Sequence, residues 1–447
     1  MSQSDDRGFF GHPRGLSTLF FTEMWERFSY YGMRAFLMLY MVTPVAAGGL
    51  GFSDAAAGSI YGNYTGSVWG ATIFGGLAAD RLLGQYRSVL YGGILIAAGH
   101  VTLTFREMPF FYTGLALIVI GTGLLKANAS TLVGSLYQPS DPRRDAGFSI
   151  FYMGINIGAL FGPLVAGYLA ERVSWHVGFG CAAVGMGLGL VQYVLGRRHL
   201  QPALDRIAQP TPAAAAAAAR NEPAAPGGGL GFTAVEWKRI GAIFVLFIVA
   251  TFFWGAYEQA GSTLTLFAAR FTRLEILGFS FPVSWFQLVQ PIFVAFIFGP
   301  LFAWMWIRLG PREPSVPAKF ALALVFMSLS FLVLVPAGAM AQGEGVRVSP
   351  TWLIISYAIS VLGEMCLSPV GLSAVTKLAP VRILGVMMGV WFLSNAFGNK
   401  IAGSAAGYIS SMPLQNLFGV VAAILAGAAL IMFVLVKPIK RLMAGQK

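Results

Sequence analysis

Residues 209–229 read QPTPAAAAAAARNEPAAPGGG, and this tract decides how the rest of the chain is divided. Its proline, alanine and glycine offer little to bury, so it reads as a linker with some local helix. On either side the composition inverts. The 447-residue chain is 56% hydrophobic and 11% charged, against about 25% charged in soluble proteins, and its mean hydropathy is +0.70. No soluble core hides that apolar fraction, so the chain needs lipid as its solvent. A spanning helix takes roughly 20 apolar residues. Twelve such stretches are legible: 15–44, 53–79, 87–106, 109–136, 147–170 and 177–196 before the tract, then 239–269, 283–309, 318–341, 350–377, 383–411 and 413–436 after it.

These are called spans one to twelve below. The expected organisation is an N-terminal six-helix bundle (1–196), a polar linker without further spans (197–237) and a C-terminal six-helix bundle (238–447). An all-α membrane protein of two six-helix bundles around a central cavity has the arrangement of major facilitator transporters. Loop charge orients it. With both termini in the cytoplasm, twenty-one Lys and Arg fall on that side, against five opposite: Arg106, Arg172, Arg270, Arg273 and Arg347. The positive-inside rule therefore places both termini inside. After span two, Asp80, Arg81 and Gly84 resemble a facilitator-superfamily loop motif, in which the acidic residue holds the bundles together in the outward-facing state; helix capping with a glycine turn is the plainer reading.

Four basic residues, Arg27, Arg34, Lys126 and Lys400, and four acids, Glu23, Glu26, Glu258 and Glu364, remain inside the spans. Each costs on the order of 3 kcal/mol at a helix centre, so such residues are functional candidates by default. At about 100° per residue, Glu23, Arg27, Tyr30 and Arg34 lie within about 40° of one line, with Glu26 about 60° to one side and Tyr31 about 80° to the other. Glu23 and Arg27, four residues apart, can pair. A glutamate beside a permanently charged arginine is either ionised and paired or protonated and released, which a proton relay requires; a static salt bridge is the alternative. In the second half, Trp254 and Glu258 share a helix face, as do Glu364 and Ser368, and Pro369 then interrupts span ten. Arg34 and Lys126 from one half facing Glu258 and Glu364 from the other suit a zwitterion, carboxylate at one end and ammonium at the other.

The run Glu23-Met-Trp-Glu26-Arg27-Phe28-Ser-Tyr30-Tyr31-Gly32 resembles the ExxERFxYYG signature of the proton-dependent oligopeptide transporter family. Asp141–Phe148 with Phe151–Gly158, Gly123–Asn128, Phe253–Gln259 and Gly363–Leu372 resemble further motifs of that family, in order along nearly the whole chain. The resemblance implies uptake of di- and tripeptides with protons, without a cofactor, by a bacterial inner-membrane protein working as a monomer. It implies proton coupling by Glu23, Glu26, Arg27 and Glu258. Arg34, Lys126 and Asn156 match residues facing the peptide carboxylate and backbone, and Glu364, followed by Ser368, matches the acid receiving the amino terminus. Tyr30, Tyr31, Trp254, Trp391 and Asn395 match side-chain pockets. Two positions depart from the pattern: Trp69, where many members carry Tyr, and Gln290, where many carry Asn; both bear on side-chain preference.

Other classes are weaker. An intramembrane enzyme lacks a nucleophile–base set here, and the four histidines show no metal spacing. The basic balance, +12, sits in short loops and marks topology, not nucleic-acid binding. Cys181 and Cys366 fall in apolar stretches and read as packing residues. Gly154, Gly158 and Gly162, four apart, read as helix-packing positions. A facilitator for another cargo, such as nitrate or a drug, is the nearest rival.

Overall fold

The computed structural model describes residues 8–138, 141–208, 232–343, 345–380 and 383–443. Each expected span is helical. The first six are Arg14–Val42, Asp54–Ala78, Gln85–Thr102, Met108–Ser135, Arg144–Arg172 and Trp175–Leu195. The second six are Ala234–Phe271, Val283–Leu309, Val316–Gly343, Thr351–Leu378, Leu384–Ala406 and Leu414–Leu442. Eight of these, among the described residues, are long and apolar enough to cross a membrane by composition alone. Span one falls short because its charges interrupt the apolar run, although the helix itself is continuous. Outward-facing Phe74, Leu195, Phe296, Ile307 and Val434 are exposed, as expected of a surface solvated by lipid chains.

The tract 209–231 lies outside the described residues. The segment before it is a short helix, Arg197–Ala208, whose buried Leu200 and Ala203 pack against spans one and four.

Within the first half span one packs on five and six, and span three on four; within the second half span nine packs on ten and twelve, and span seven on eleven. The halves meet through spans two and eleven, one and seven, and five and eight. Close crossing of two and eleven needs bare glycine: a Cβ on Gly58 would lie 2.2 Å from the Gly403 carbonyl oxygen. The expected packing glycines also lie at an interface. Gly154, Gly158 and Gly162 face Phe20, Met24 and Phe28 on span one.

The contacts between halves concentrate at the end opposite the termini. Asp54, opening span two, receives both terminal nitrogens of Arg270 at 2.7 and 2.6 Å and the Ser410 hydroxyl. Glu171 of span five accepts the backbone N–H groups of Val283 and Ser284 at 2.8 and 2.7 Å, capping the start of span eight. Toward the termini the inner faces are reachable by solvent: Tyr152 is exposed, and Asn156, Lys126, Glu364 and Ser368 are partly so. The cavity opens at that end.

Several spans depart locally from a regular α-helix. Span seven passes through a single 3-10 turn, Glu258–Gly261, and span five widens into a π turn at Pro163–Gly167, where proline has no N–H to give the ladder. Span two ends in another π turn containing Asp80 and Arg81, closed by Gly84 at φ +73°, a conformation glycine adopts at no steric cost.

Candidate functional site

Span one supplies the densest part of the site. Arg27 is almost fully buried, as are Glu23 and Glu26. The arginine forks onto Glu26, with Nη2 donating to Oε1 at 2.6 Å and Nε donating to Oε2. Glu23 stands farther off, 3.5 Å from Nε, and its second carboxylate oxygen has no hydrogen-bond partner among the described residues. Helical spacing favours the Glu23 pair; the structure instead gives the shorter bonds to Glu26, because the long arginine side chain bends back across the helix surface to its neighbour. The guanidinium also lies 5.1 and 5.8 Å from the ring centres of Tyr30 and Tyr31. These rings stabilise a buried cation by their quadrupoles.

One and two turns further on, span one crosses span seven. Arg34 forms an ion pair with Glu258 and donates from Nε to the Tyr61 hydroxyl at 2.7 Å. Basic and acidic groups expected on facing walls are thus joined directly at this point. The 3-10 turn makes the approach possible: a Cβ on Gly261 would lie 1.9 Å from the Tyr61 oxygen.

Lys126 and Glu364 are placed differently. Among the described residues neither forms an ion pair. The Lys126 ammonium sits 4.2 Å from the Trp69 ring centre, within electrostatic range of Glu23, Glu26 and Arg27. Glu364 is hydrogen-bonded by the Tyr257 hydroxyl at 2.5 Å, and Tyr152 of span five is close enough to interact with it. Asn156 donates to the Tyr152 carbonyl at 2.9 Å. Lys126 in the first half and Glu364 in the second are thus both partly reachable by solvent and, among the described residues, without an ion-pair partner.

The remaining expected residues divide. Trp254 packs edge-on against Phe253 and Tyr257, and its buried indole N–H has no partner among the described residues. Trp391 is buried over Gly371, and Asn395 is also buried, its backbone carbonyl accepting from the Asn399 side-chain amide at 2.9 Å. Gln290 is buried and donates to Ser360 at 3.2 Å, tying span eight to span ten. Pro369 lies inside span ten without ending it. Asp80, exposed like Arg81, bonds Gln85 at 3.1 Å and forms no ion pair across the halves among the described residues. Lys400 is exposed.

Residue patterns missed three contributors. Tyr61 and Tyr257 are neutral, so a search for intramembrane charge passes over them; Tyr257 lies one residue before Glu258 and points to Glu364 instead of Arg34. Asp54 looks like an ordinary first-turn acid after the Ser53 cap, whose hydroxyl accepts from Ala56. Its bond to Arg270 joins positions 216 residues apart. No group of three or more His, Cys, Asp or Glu able to hold a metal occurs among the described residues.

The fold and this site have close counterparts. The POT family model matches residues 86–209 and 233–424, leaving out residues 1–85, the linker between the two matched stretches and the end of the chain from 425 on. The transporter YclF of Bacillus subtilis is 42% identical over 98% of this chain and 96% of its own length. A di-/tripeptide transporter of Lactococcus lactis is 36% identical over 98% of both. Among solved structures, a POT peptide transporter mutant in complex with alafosfalin superposes with a TM-score of 0.89 at 42% identity, covering 99% of this chain and 98% of that one. The chain has the major facilitator fold of these transporters and belongs to the POT family.

Proposed function

We propose that this protein imports di- and tripeptides together with protons, as a monomer in the bacterial inner membrane with both termini in the cytoplasm. The observation that carries this reading is that Lys126 on one half and Glu364 on the other have no ion-pair partner among the described residues. A zwitterionic peptide satisfies both charges at once, its carboxylate toward Lys126 and its ammonium toward Glu364. The names of relatives, di-/tripeptide transporters among them, support the same cargo. In this reading Asn156 and Ser368 take the peptide backbone, Tyr30, Tyr31, Trp254, Trp391 and Asn395 its side chains, and Gln290 acts through Ser360.

Protons enter through span one and span seven. Glu258 accepts a proton and releases Arg34, which unlocks the end opposite the termini and frees a cation for the peptide carboxylate. Glu23, held less closely than Glu26, takes a proton at a lower cost in broken hydrogen bonds, and its charge change is felt at Lys126. In this state the opposite end is shut and the cavity faces the termini, the cytoplasmic side in this reading.

Replacing Glu364 by Gln tests the peptide site. Losing a charge-assisted bond of about 1.5–3 kcal/mol weakens dialanine binding roughly 10- to 100-fold, measured by calorimetry on the purified protein. Unchanged affinity would assign the ammonium elsewhere and favour an anionic cargo.

A further inference from the structure

The ends of spans four and five and the short helix Arg197–Ala208 enclose a second cleft, of about 370 Å³, at the end that carries the termini. Two arginines from different elements reach it, Arg144 from the start of span five and Arg206 from the short helix, with the hydroxyls of Ser130, Thr131 and Ser135 beside them and Phe148 as an apolar wall. Among the described residues no carboxylate lines it. Nearby Asp141 is already bound by Arg143 at 2.9 Å. Arg206 is fixed in place by donating Nη1 to the Ser135 carbonyl, which leaves its remaining N–H groups for another acceptor. Arg144 forms no ion pair among the described residues.

We propose that this cleft binds a phosphate group. The hydroxyls of Ser130, Thr131 and Ser135 donate to carbonyls of their own helix, so the two guanidiniums carry the site: their N–H groups outnumber the oxygens of a carboxylate and suit a tetrahedral oxyanion. The cleft lies at the ends of spans four and five on the side that carries the termini, beside the short helix that follows span six. The short helix buries Leu200 and Ala203 against the bundle while Arg197, Arg198 and Gln201 stay outside, and exposed Leu195 immediately precedes it. A phosphate held there arrives either on an anionic phospholipid in the adjacent leaflet or as a soluble phosphate monoester. In both cases it ties the ends of spans four and five to the short helix.

Native mass spectrometry of the full chain in non-ionic detergent separates these sources. The protein is offered equimolar dioleoylphosphatidylglycerol and dioleoylglycerol, which differ by the phosphate-bearing headgroup. Retention of the phospholipid roughly tenfold over the neutral lipid is expected. The preference disappears in Arg144→Gln/Arg206→Gln and persists in Arg198→Gln, an exposed arginine of the same helix that does not line the cleft. Displacement by millimolar glycerol 3-phosphate assigns the site to soluble phosphate, and resistance to it assigns the lipid. Should the double variant fail to fold, Arg144→Gln alone, at an exposed side chain, serves in its place. Equal retention of both lipids with no glycerol 3-phosphate adduct, or an undiminished preference in the variant that folds, overturns the proposal.

Discussion

At the scale of single residues, the unequal treatment of two glutamates by one arginine is the most consequential detail. Arg27 grips Glu26 with two nitrogens and stands 3.5 Å from Glu23. We therefore expect Glu23→Gln to spare peptide exchange between equal compartments, where no net proton moves, and to abolish accumulation driven by a proton gradient. Radiolabelled dialanine in proteoliposomes reads both, and normal accumulation by the variant would remove Glu23 from coupling. Outside the membrane, His12 contacts the Tyr137 hydroxyl at 2.9 Å. Burial, then the Arg143 guanidinium, hold its pKa below the ordinary 6.5, with Asp141 opposing. As pH falls through that value, the unfolded chain takes up a proton that the folded chain resists, so stability present above it is lost below. The wild type should lose of order 1 °C more melting temperature than His12→Gln between about pH 7 and 5; an equal loss would contradict the assignment. The charged residues of this site were legible because lipid makes each of them expensive. Their pairing was not, since spacing marks which side chains share a face and leaves open how a flexible arginine bends. Tyr61 and Tyr257 carry no charge to betray them.

At the scale of elements, the spans were legible from hydropathy, and their interruptions only partly so. In span ten the helix continues unbroken through Pro369, whereas the π turn of span five announces itself in the sequence through Pro163. The 3-10 turn at Glu258–Gly261 does not, because no proline marks it; it depends on span one and span two pressing Arg34 and Tyr61 against it. Gly261→Ala is accordingly informative. Its added methyl must displace the Tyr61 hydroxyl and crowd the Arg34 guanidinium, 3.2 Å away. Overpacking of this kind costs about 1–3 kcal/mol, and here it strikes the contact that joins the halves. We expect a lower melting temperature and a several-fold loss of dipeptide uptake. Wild-type behaviour in both would mean that the turn tolerates more space than its geometry indicates.

At the scale of the whole molecule, two six-helix halves were readable from a count of spans, a polar linker and the distribution of basic loops. The state of the cavity was not. Closure at the end opposite the termini rests on Asp54 with Arg270 and on Arg34 with Glu258, each joining residues more than two hundred positions apart. No local pattern encodes such pairs. Closure there and access at the other end are one half of an alternating cycle, and protonation of Glu258 is the step proposed to reverse it. The central claim is that peptide and proton move together. Its most direct test places the purified protein in proteoliposomes loaded with a pH-sensitive dye and adds dialanine outside under an inward proton-motive force. Acidification of the lumen that depends on the dipeptide is the predicted result; no proton entry with any di- or tripeptide would contradict it.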